Sequence, residues 1–391
     1  MTPSARVQAA IEILDEVIAS AVADGPPADA IVSRYFKTRR YAGSKDRRAV
    51  RELVFGAIRR SGERPVSGRA AMAGLSTDEP ELAALFDGSA HGPGPITDDE
   101  ERAGASVIPE WLMAELSPLV TADEWPALLV RAPLDLRCNI ASTTCEAMLE
   151  AFEGAVPTPM SPWGIRLPSD SKVDDSQAFL NGLVEVQDEG SQLIAFACQP
   201  RDGIRIVDLC AGAGGKSLAL AAAAPVAEIL ACDTNRARLA NLPPRAERAG
   251  AKIDIRLLDG GREAQQLADW EGQADVVLVD APCSGSGTWR RNPEGRWRLT
   301  PARLGRLAAL QARLLEIAAP LVKPGGSLVY AVCSILQREG AGQISAFLGR
   351  HSSWKVQEAL PFGRRDGDGR LLTPGQDGTD GFFVARLERS C

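Results

Sequence analysis

Cys283 follows a proline just beyond the apolar run DVVLVD (275–280), and Cys333 closes a second run, SLVYAVC (327–333). A strand-end thiol is more often a small buried hydrophobe than a reagent. Two thiols at the mouths of two strands suit one demanding reaction, the alkylation of a pyrimidine at C5. That carbon is a poor nucleophile until a thiolate adds to C6 and creates an enamine, which then accepts a methyl group. A base must afterwards take the C5 proton, and the thiol must leave. Asp280, closing the first run, can hydrogen-bond N3 and the exocyclic amino group and so stabilise the charge that develops on attack. With the other cysteines (138, 145, 198, 210, 232 and 391) Cys283 and Cys333 form no CxxC, and spacings of 7 to 58 along all eight suit neither a zinc site nor a small disulfide scaffold. His91 and His351 are the two histidines, too few for a histidine-based metal site or triad, so no metal is expected.

The elements that would position these thiols alternate. Strand IRIVDL (204–209) leads through a glycine turn into a helix, and strands EILACD (228–233), KIDIRLLD (252–259), DVVLVD and SLVYAVC follow, with helical segments between them. Apolar strands alternating with helices predict an α/β fold with a doubly wound, mostly parallel sheet. Ligands bind such sheets at the carboxyl ends of the strands, where both cysteines fall.

The turn reads LCAGAGGKS (209–217). A Walker loop would need glycine where Cys210 stands, which excludes that reading. A dinucleotide fingerprint from Gly212 would need Gly or Ala where Ser217 stands, a near miss. Asp233, Asp259 and Asp280 end three successive strands beside this turn. Each can be a simple loop cap, but together they form an acidic rim that repels pyrophosphate and tolerates the sulfonium of S-adenosylmethionine. Asp233 would take ribose hydroxyls and Asp259 an adenine amino group. A purely structural turn is the bland alternative.

Composition bounds the rest. The chain has 391 residues, 45% hydrophobic and 24% charged, with a net charge of −7, so a globular chain of two or three domains is expected. No basic-then-apolar leader opens it and no apolar run reaches the roughly 18–20 residues of a membrane span, which predicts a cytoplasmic protein without membrane partners. Ser4 is placed to cap a first helix carrying Val7, Ile11, Leu14, Val17 and Ile18. Further helices are predicted from Pro27 to Phe36 and from Ser44. The stretch 75–103, acidic and rich in Gly and Pro, reads as a solvated linker or irregular loop. A small α+β unit follows, with APLDLRCNI and WGIRL as strands.

The strings DLCAGAGGKS, DAPCSGSGTWRRNPEGRW, VYAVCSI and DGTDGFFVARLER resemble the RsmB-type (Sun) RNA cytosine-C5 methyltransferases, as do LDLRCNI, WGIRL and QDEGSQL further upstream. The resemblance covers about 105 to 389. It implies a class I (Rossmann-like) catalytic domain at 173–391, a small α+β RNA-binding subdomain at 104–172, and a NusB-like helical RNA-binding domain with its linker at 1–103. It makes Cys333 the nucleophile and has Cys283 assist product release. Cys210, Ala211, Gly212, Ala213, Gly214, Gly215, Lys216, Asp233, Arg238, Asp259 and Asp280 become contacts to S-adenosylmethionine. The implied substrate is a cytidine of 16S ribosomal RNA, methylated by a monomer. A transfer RNA enzyme, a non-catalytic RNA-binding assembly factor and a nicotinamide dehydrogenase are the rival readings. Three departures stand out: Ala-Gly-Ala at 211–213 for the family's Ala-Ala-Pro, Val332 for threonine, and a segment QREGAGQI poor in the usual acids.

An acidic molecule needs a local basic surface to hold RNA. TWRRNPEGRWRLTPARLGR (288–306) holds six arginines and two tryptophans suited to stacking on unpaired bases. Arg290, Arg291, Arg296 and Arg298 are the expected contacts, joined by the basic segment 34–51.

Overall fold

The computed structural model describes residues 1–168 and 171–391. Its contacts divide the chain into two compact units. One comprises 1–116, 121–130 and 288–301, and the other 117–120, 131–287 and 302–391. The sequence boundaries near 103 and 172 therefore do not separate the units, and the basic segment after Gly287 belongs to the first of them.

The first unit is helical: α1 (Pro3–Val22), α2 (Ala28–Lys37), α3 (Ser44–Arg60) and α4 (Gly68–Leu75). Apolar residues at helical spacing turn Val7, Leu14, Ile31, Val54, Ile58 and Met72 into one core. Thr2, not Ser4, caps α1, its hydroxyl accepting from the Ala5 amide at 3.2 Å. Ser4 lies inside the helix and donates to Asp87 at 2.7 Å. Most of the stretch 75–103 is an irregular, exposed loop, but it is anchored. Leu82 and Phe86 are buried in the helical core, and Arg69 holds Glu100 at 2.5 Å. Burying two such side chains outweighs the acidic composition that suggested solvent, since each contributes about 1.5–3 kcal/mol.

The second unit carries two sheets. Strands β1 (Leu134–Cys138), β2 (Val156–Pro157), β3 (Gly164–Leu167) and β4 (Val184–Val186) form a small antiparallel sheet in the order β2-β3-β1-β4. Leu136, Ile165, Leu167 and Val184 make its separate core. The large sheet comprises β5 (Arg205–Asp208), β6 (Glu228–Asp233), β7 (Asp254–Leu257), β8 (Ala274–Asp280), β9 (Val322–Val332), β10 (Trp354–Gln357), β11 (Arg364–Asp366), β12 (Gly369–Leu372) and β13 (Phe382–Arg389). Its order is β11-β12-β13-β9-β8-β5-β6-β7, with β10 also on β13. The strands from β5 to β9 pair in parallel, whereas β10 to β13 add antiparallel. Order reverses between β5 and β8, the switch point at which ligand crevices open in such sheets. Among the described residues no helix is long and apolar enough to cross a membrane.

Register sets the two cysteines side by side. β8 and β9 pair Asp280 with Ala331, and the Ala281 amide continues the ladder to the Ala331 carbonyl at 2.9 Å. Beyond the strands, Gly287 donates to the Cys333 carbonyl at 3.1 Å and accepts from the Gly381 amide at 2.7 Å. A Cβ on Gly287 would lie 1.9 Å from the Gly381 oxygen, so this crossing admits no side chain. Gly287→Ala should therefore cost about 1–3 kcal/mol by overpacking. A fall in the urea midpoint at unchanged slope would register it, and a midpoint equal to wild type would refute the close approach.

Candidate active site

The glycine turn after β5 is built inward. Its amides at Ala211, Gly212 and Gly214 bond to the Cys232 carbonyl at 2.8 Å, Asp233 at 2.7 Å and the Ala211 carbonyl at 2.8 Å. Amides committed in this way are not available to cradle a phosphate. Gly214 sits at φ 80°, and a Cβ there would meet Leu242 at 2.1 Å, which explains why the turn is glycine at this point. Gly215 and Lys216 open the helix Gly215–Ala223. The Ala213 carbonyl accepts from Arg245 at 2.5 Å, and the Arg238 guanidinium lies over Gly212, 2.7 Å from where a Cβ would stand.

Acids gather at the strand ends. Asp233 is buried and accepts from Gly212 and, at 2.6 Å, from the Asn235 amide. Asp280 ends β8 and holds the Lys216 ammonium at 2.6 Å. Burial works against the charge on Lys216, but Asp280 beside it, then Cys333 and Asp208, raise the ammonium above its usual range. Asp259 stands two residues past β7, exposed, its carboxylate taken by Gln266 at 3.1 Å. Cys210 is raised well above the ordinary thiol range by burial and by Asp208, so it stays protonated.

A further acid, Asp208 at the end of β5, escaped the sequence reading because it precedes the glycines. It is fully buried, one carboxyl oxygen accepts from Ser217 at 2.7 Å, and the other has no partner among the described residues. Burial pushes it up to about 7 against the Ser217 hydrogen bond, and Asp280 adds to the rise.

The two thiols meet. Cys283 and Cys333 lie with their sulfurs 3.3 Å apart, both half-buried. The Cys333 sulfur and burial together push the Cys283 thiol far up, so Cys283 keeps its proton near neutrality. Alongside them Glu339, which the sequence reading passed over, accepts hydrogen bonds from both Ser284 and Ser334. Among the described residues no three His, Cys, Asp or Glu side chains cluster as a metal site.

The arginines expected on RNA are placed otherwise. Arg296 is buried in the helical unit, its guanidinium donating to the carbonyls of Pro293, Val107 and Ile58 at 2.9, 2.7 and 2.5 Å. Arg290 is also buried, and Arg298 donates to the Gly25 and Pro26 carbonyls at 2.9 and 2.8 Å. Arg291 is half-buried. Trp289 and Trp297 are buried too, Trp297 in the helical core with its indole N–H on the Ser61 carbonyl at 2.8 Å. Arg290, Arg296 and both tryptophans are therefore buried in this structure rather than on its exposed surface. The segment 34–51 keeps its basic face: Lys37, Arg40, Lys45 and Arg48 are exposed, and Tyr41 is 72% exposed.

A five-stranded parallel run with this switch point, an acid-rimmed glycine turn and an antiparallel C-terminal edge define a class I methyltransferase-like fold. A family model described as 16S rRNA methyltransferase RsmB/F matches residues 195–388. Ribosomal RNA small subunit methyltransferase B of Salmonella arizonae is 37% identical over 287 residues, covering 71% of this chain and 66% of that protein. The chain so matches just under two thirds of the length of that curated relative. The solved structure of PH0851 superposes with a TM-score of 0.77 at 24% identity, covering 98% of this chain and 99% of that one. NSun6 from Pyrococcus horikoshii, solved with SFG, gives a TM-score of 0.59 at 18% identity over 68% of this chain and 93% of that one. These two likenesses show the fold. The chain belongs to the RsmB/F methyltransferase family.

Two expected outcomes test the site's electrostatics. Asp208 has a folded pKa above its unfolded value, so the folded state binds the extra proton between about 4 and 7. Its contribution is fully present below the unfolded pKa and is lost as pH rises through about 7. Asp208→Asn should flatten the fall in Tm between pH 4 and 8, and a slope equal to wild type would contradict the buried acid. Arg296→Ala, which strands several buried carbonyls, should cost about 2–4 kcal/mol in chemical denaturation. A loss of RNA affinity at intact stability would restore it to the binding surface.

Proposed function

We propose that this chain methylates C5 of a cytidine in 16S ribosomal RNA, using S-adenosylmethionine. One observation carries the reading: two thiols from neighbouring strand ends lie 3.3 Å apart beside an acid-rimmed glycine turn.

The residues fit the methyl donor. Asp233 and Asp259 offer acceptors to hydroxyl and amino groups, and the acids around the turn favour a cation. Lys216 is committed to Asp280 rather than free for a phosphate. Cys210 to Lys216, with Arg238, would line the same ligand. When bound, S-adenosylmethionine supplies an electrophilic methyl group.

The chain's own work is to activate the base and then release it. The Cys333 thiolate adds to C6, forming an S–C6 bond and pushing the electron pair toward C5. Asp280, with its position steadied by Lys216, accepts from the cytosine amino group and holds the ring as charge develops. Once C5 is alkylated, its proton passes to a base and the S–C6 bond breaks, returning the pair to Cys333. The Cys283 S–H, kept protonated by its neighbourhood, donates to the departing sulfur and lowers the cost of that charge.

RNA is held, on this reading, by the exposed cations of α2, α3 and the loop between them, with Tyr41 available to stack. Lys37, Arg40, Lys45 and Arg48 contact phosphates, so binding weakens steeply with salt.

The test is methyl transfer from labelled S-adenosylmethionine to purified 16S RNA, with transfer RNA as the competing substrate. Label confined to transfer RNA would overturn the substrate assignment. Cys333→Ala should abolish both transfer and adduct. Cys283→Ala should accumulate a nuclease-sensitive RNA–protein band on a denaturing gel, with turnover reduced at least about a hundredfold. A Cys283→Ala enzyme that turns over without accumulating the band would refute this division of labour.

A further inference from the structure

Glu339 is fully buried, yet the reaction gives it no bond to make or break. Its carboxylate accepts four hydrogen bonds. Ser284 donates through its amide at 2.9 Å and its hydroxyl at 2.5 Å, Ser334 through its hydroxyl at 2.6 Å, and Gln311 through its amide nitrogen at 3.0 Å. Ser284 adjoins Cys283, and Ser334 adjoins Cys333. Gln311 also donates to the Pro282 carbonyl at 2.9 Å, on the other side of Cys283. Ser286 closes the cluster, 3.0 Å from the Ser334 hydroxyl and accepting from the Ile335 amide at 3.0 Å. Behind it, the Tyr330 hydroxyl fixes the Glu339 carbonyl at 2.7 Å.

A carboxylate group offers two oxygens that accept several donors at once, which no neutral side chain of its size can do. A buried acid without such partners would be costly, so the donors and Glu339 fix each other. The flanks of both sulfurs are therefore tied to one anchor. Hydrogen bonds between β8 and β9 set the register only as far as Ala281 and Ala331. Beyond them one backbone bond, from Gly287 to the Cys333 carbonyl, joins the two loops, and the Glu339 cluster is the side-chain bridge nearest Cys283.

We propose that Glu339 is a positioning residue for the thiol pair: it clamps the loop carrying Cys283 to the strand end carrying Cys333 and sets the distance between their sulfurs. It touches neither substrate nor donor. The acid-poor segment after Cys333 holds a single acid, and it is the one this clamp requires. This inference rests on Cys333 and Cys283 working as a pair in the proposed reaction.

The test reads the distance between the sulfurs directly in the full chain. Diamide takes one electron and one proton from each thiol and leaves as the hydrazine, so the rate of the Cys283–Cys333 disulfide, mapped by mass spectrometry, reports their juxtaposition. Wild type should form this pair fastest. Glu339→Ala should slow it at least tenfold, and Glu339→Gln, which keeps one acceptor oxygen, should fall between. The double variant Ser284→Ala, Ser334→Ala should slow it as well. S-adenosylmethionine binding should stay within twofold of wild type, and kcat should fall with KM for RNA nearly unchanged. Pairing at the wild-type rate in Glu339→Ala would overturn the clamp. So would loss of donor binding in all three variants, which would make Glu339 a general fold residue. The disulfide readout needs no RNA and no turnover, so a chain that labels no RNA would sink the proposed activity while leaving the clamp to be judged separately.

Discussion

The parallel pairing of β8 with β9 is the constraint on which the candidate site depends. Side chains at paired positions of adjacent strands are bound to be neighbours, and Asp280 opposite Ala331 carries that adjacency to the strand ends. Both loops then leave in the same direction, as they must in a parallel pair. Gly287 bonding to the Cys333 carbonyl closes the structure three residues beyond the Ser284 contacts. The sulfurs meet because the sheet is parallel at this point; an antiparallel partner would have sent one of them to the opposite edge.

Charge follows the same geometry. The strand ends of β5, β6 and β8 collect Asp208, Asp233 and Asp280, and one ammonium, Lys216, answers them. Burial pushes Asp208 up to about 7, and the nearby Asp280 adds to the rise. Lys216 joins the glycine turn to the thiol site, since its partner Asp280 lies on the thiol strand. The glycine turn and the end of β8 are thereby connected through one ion pair.

The segment 288–301 shows how composition misleads. Arginine and tryptophan side by side resemble a nucleic-acid surface, yet both are also suited to holding an irregular segment inside a helical core. Arg296 supplies several donors to carbonyls, and Trp297 supplies apolar area with one N–H to satisfy. Nothing local distinguishes these uses, because the deciding carbonyls, at Ile58, Ser61 and Val107, lie some two hundred residues away. The anchoring of 75–103 was hidden for the same reason: Leu82 and Phe86 fill space created by helices that precede it.

Much of the catalytic sheet was legible because each central strand is a short apolar run and each intervening helix has its own period. EILACD coincides with β6, and DVVLVD with all but the first residue of β8. The glycine turn, the strand-end acids and both cysteines could likewise be named from local pattern. The 3.3 Å separation of the sulfurs came only with the tertiary structure, since no residue encodes how closely two loops will approach. Glu339 was invisible for a related reason: a single acid among glycines carries no signal until two serines from separate loops converge on it. Sequence by itself determined the chemical inventory and the elements that bear it, because propensity and periodicity are local. Which of those groups are dry, paired and within reach of one another was decided by packing between distant segments.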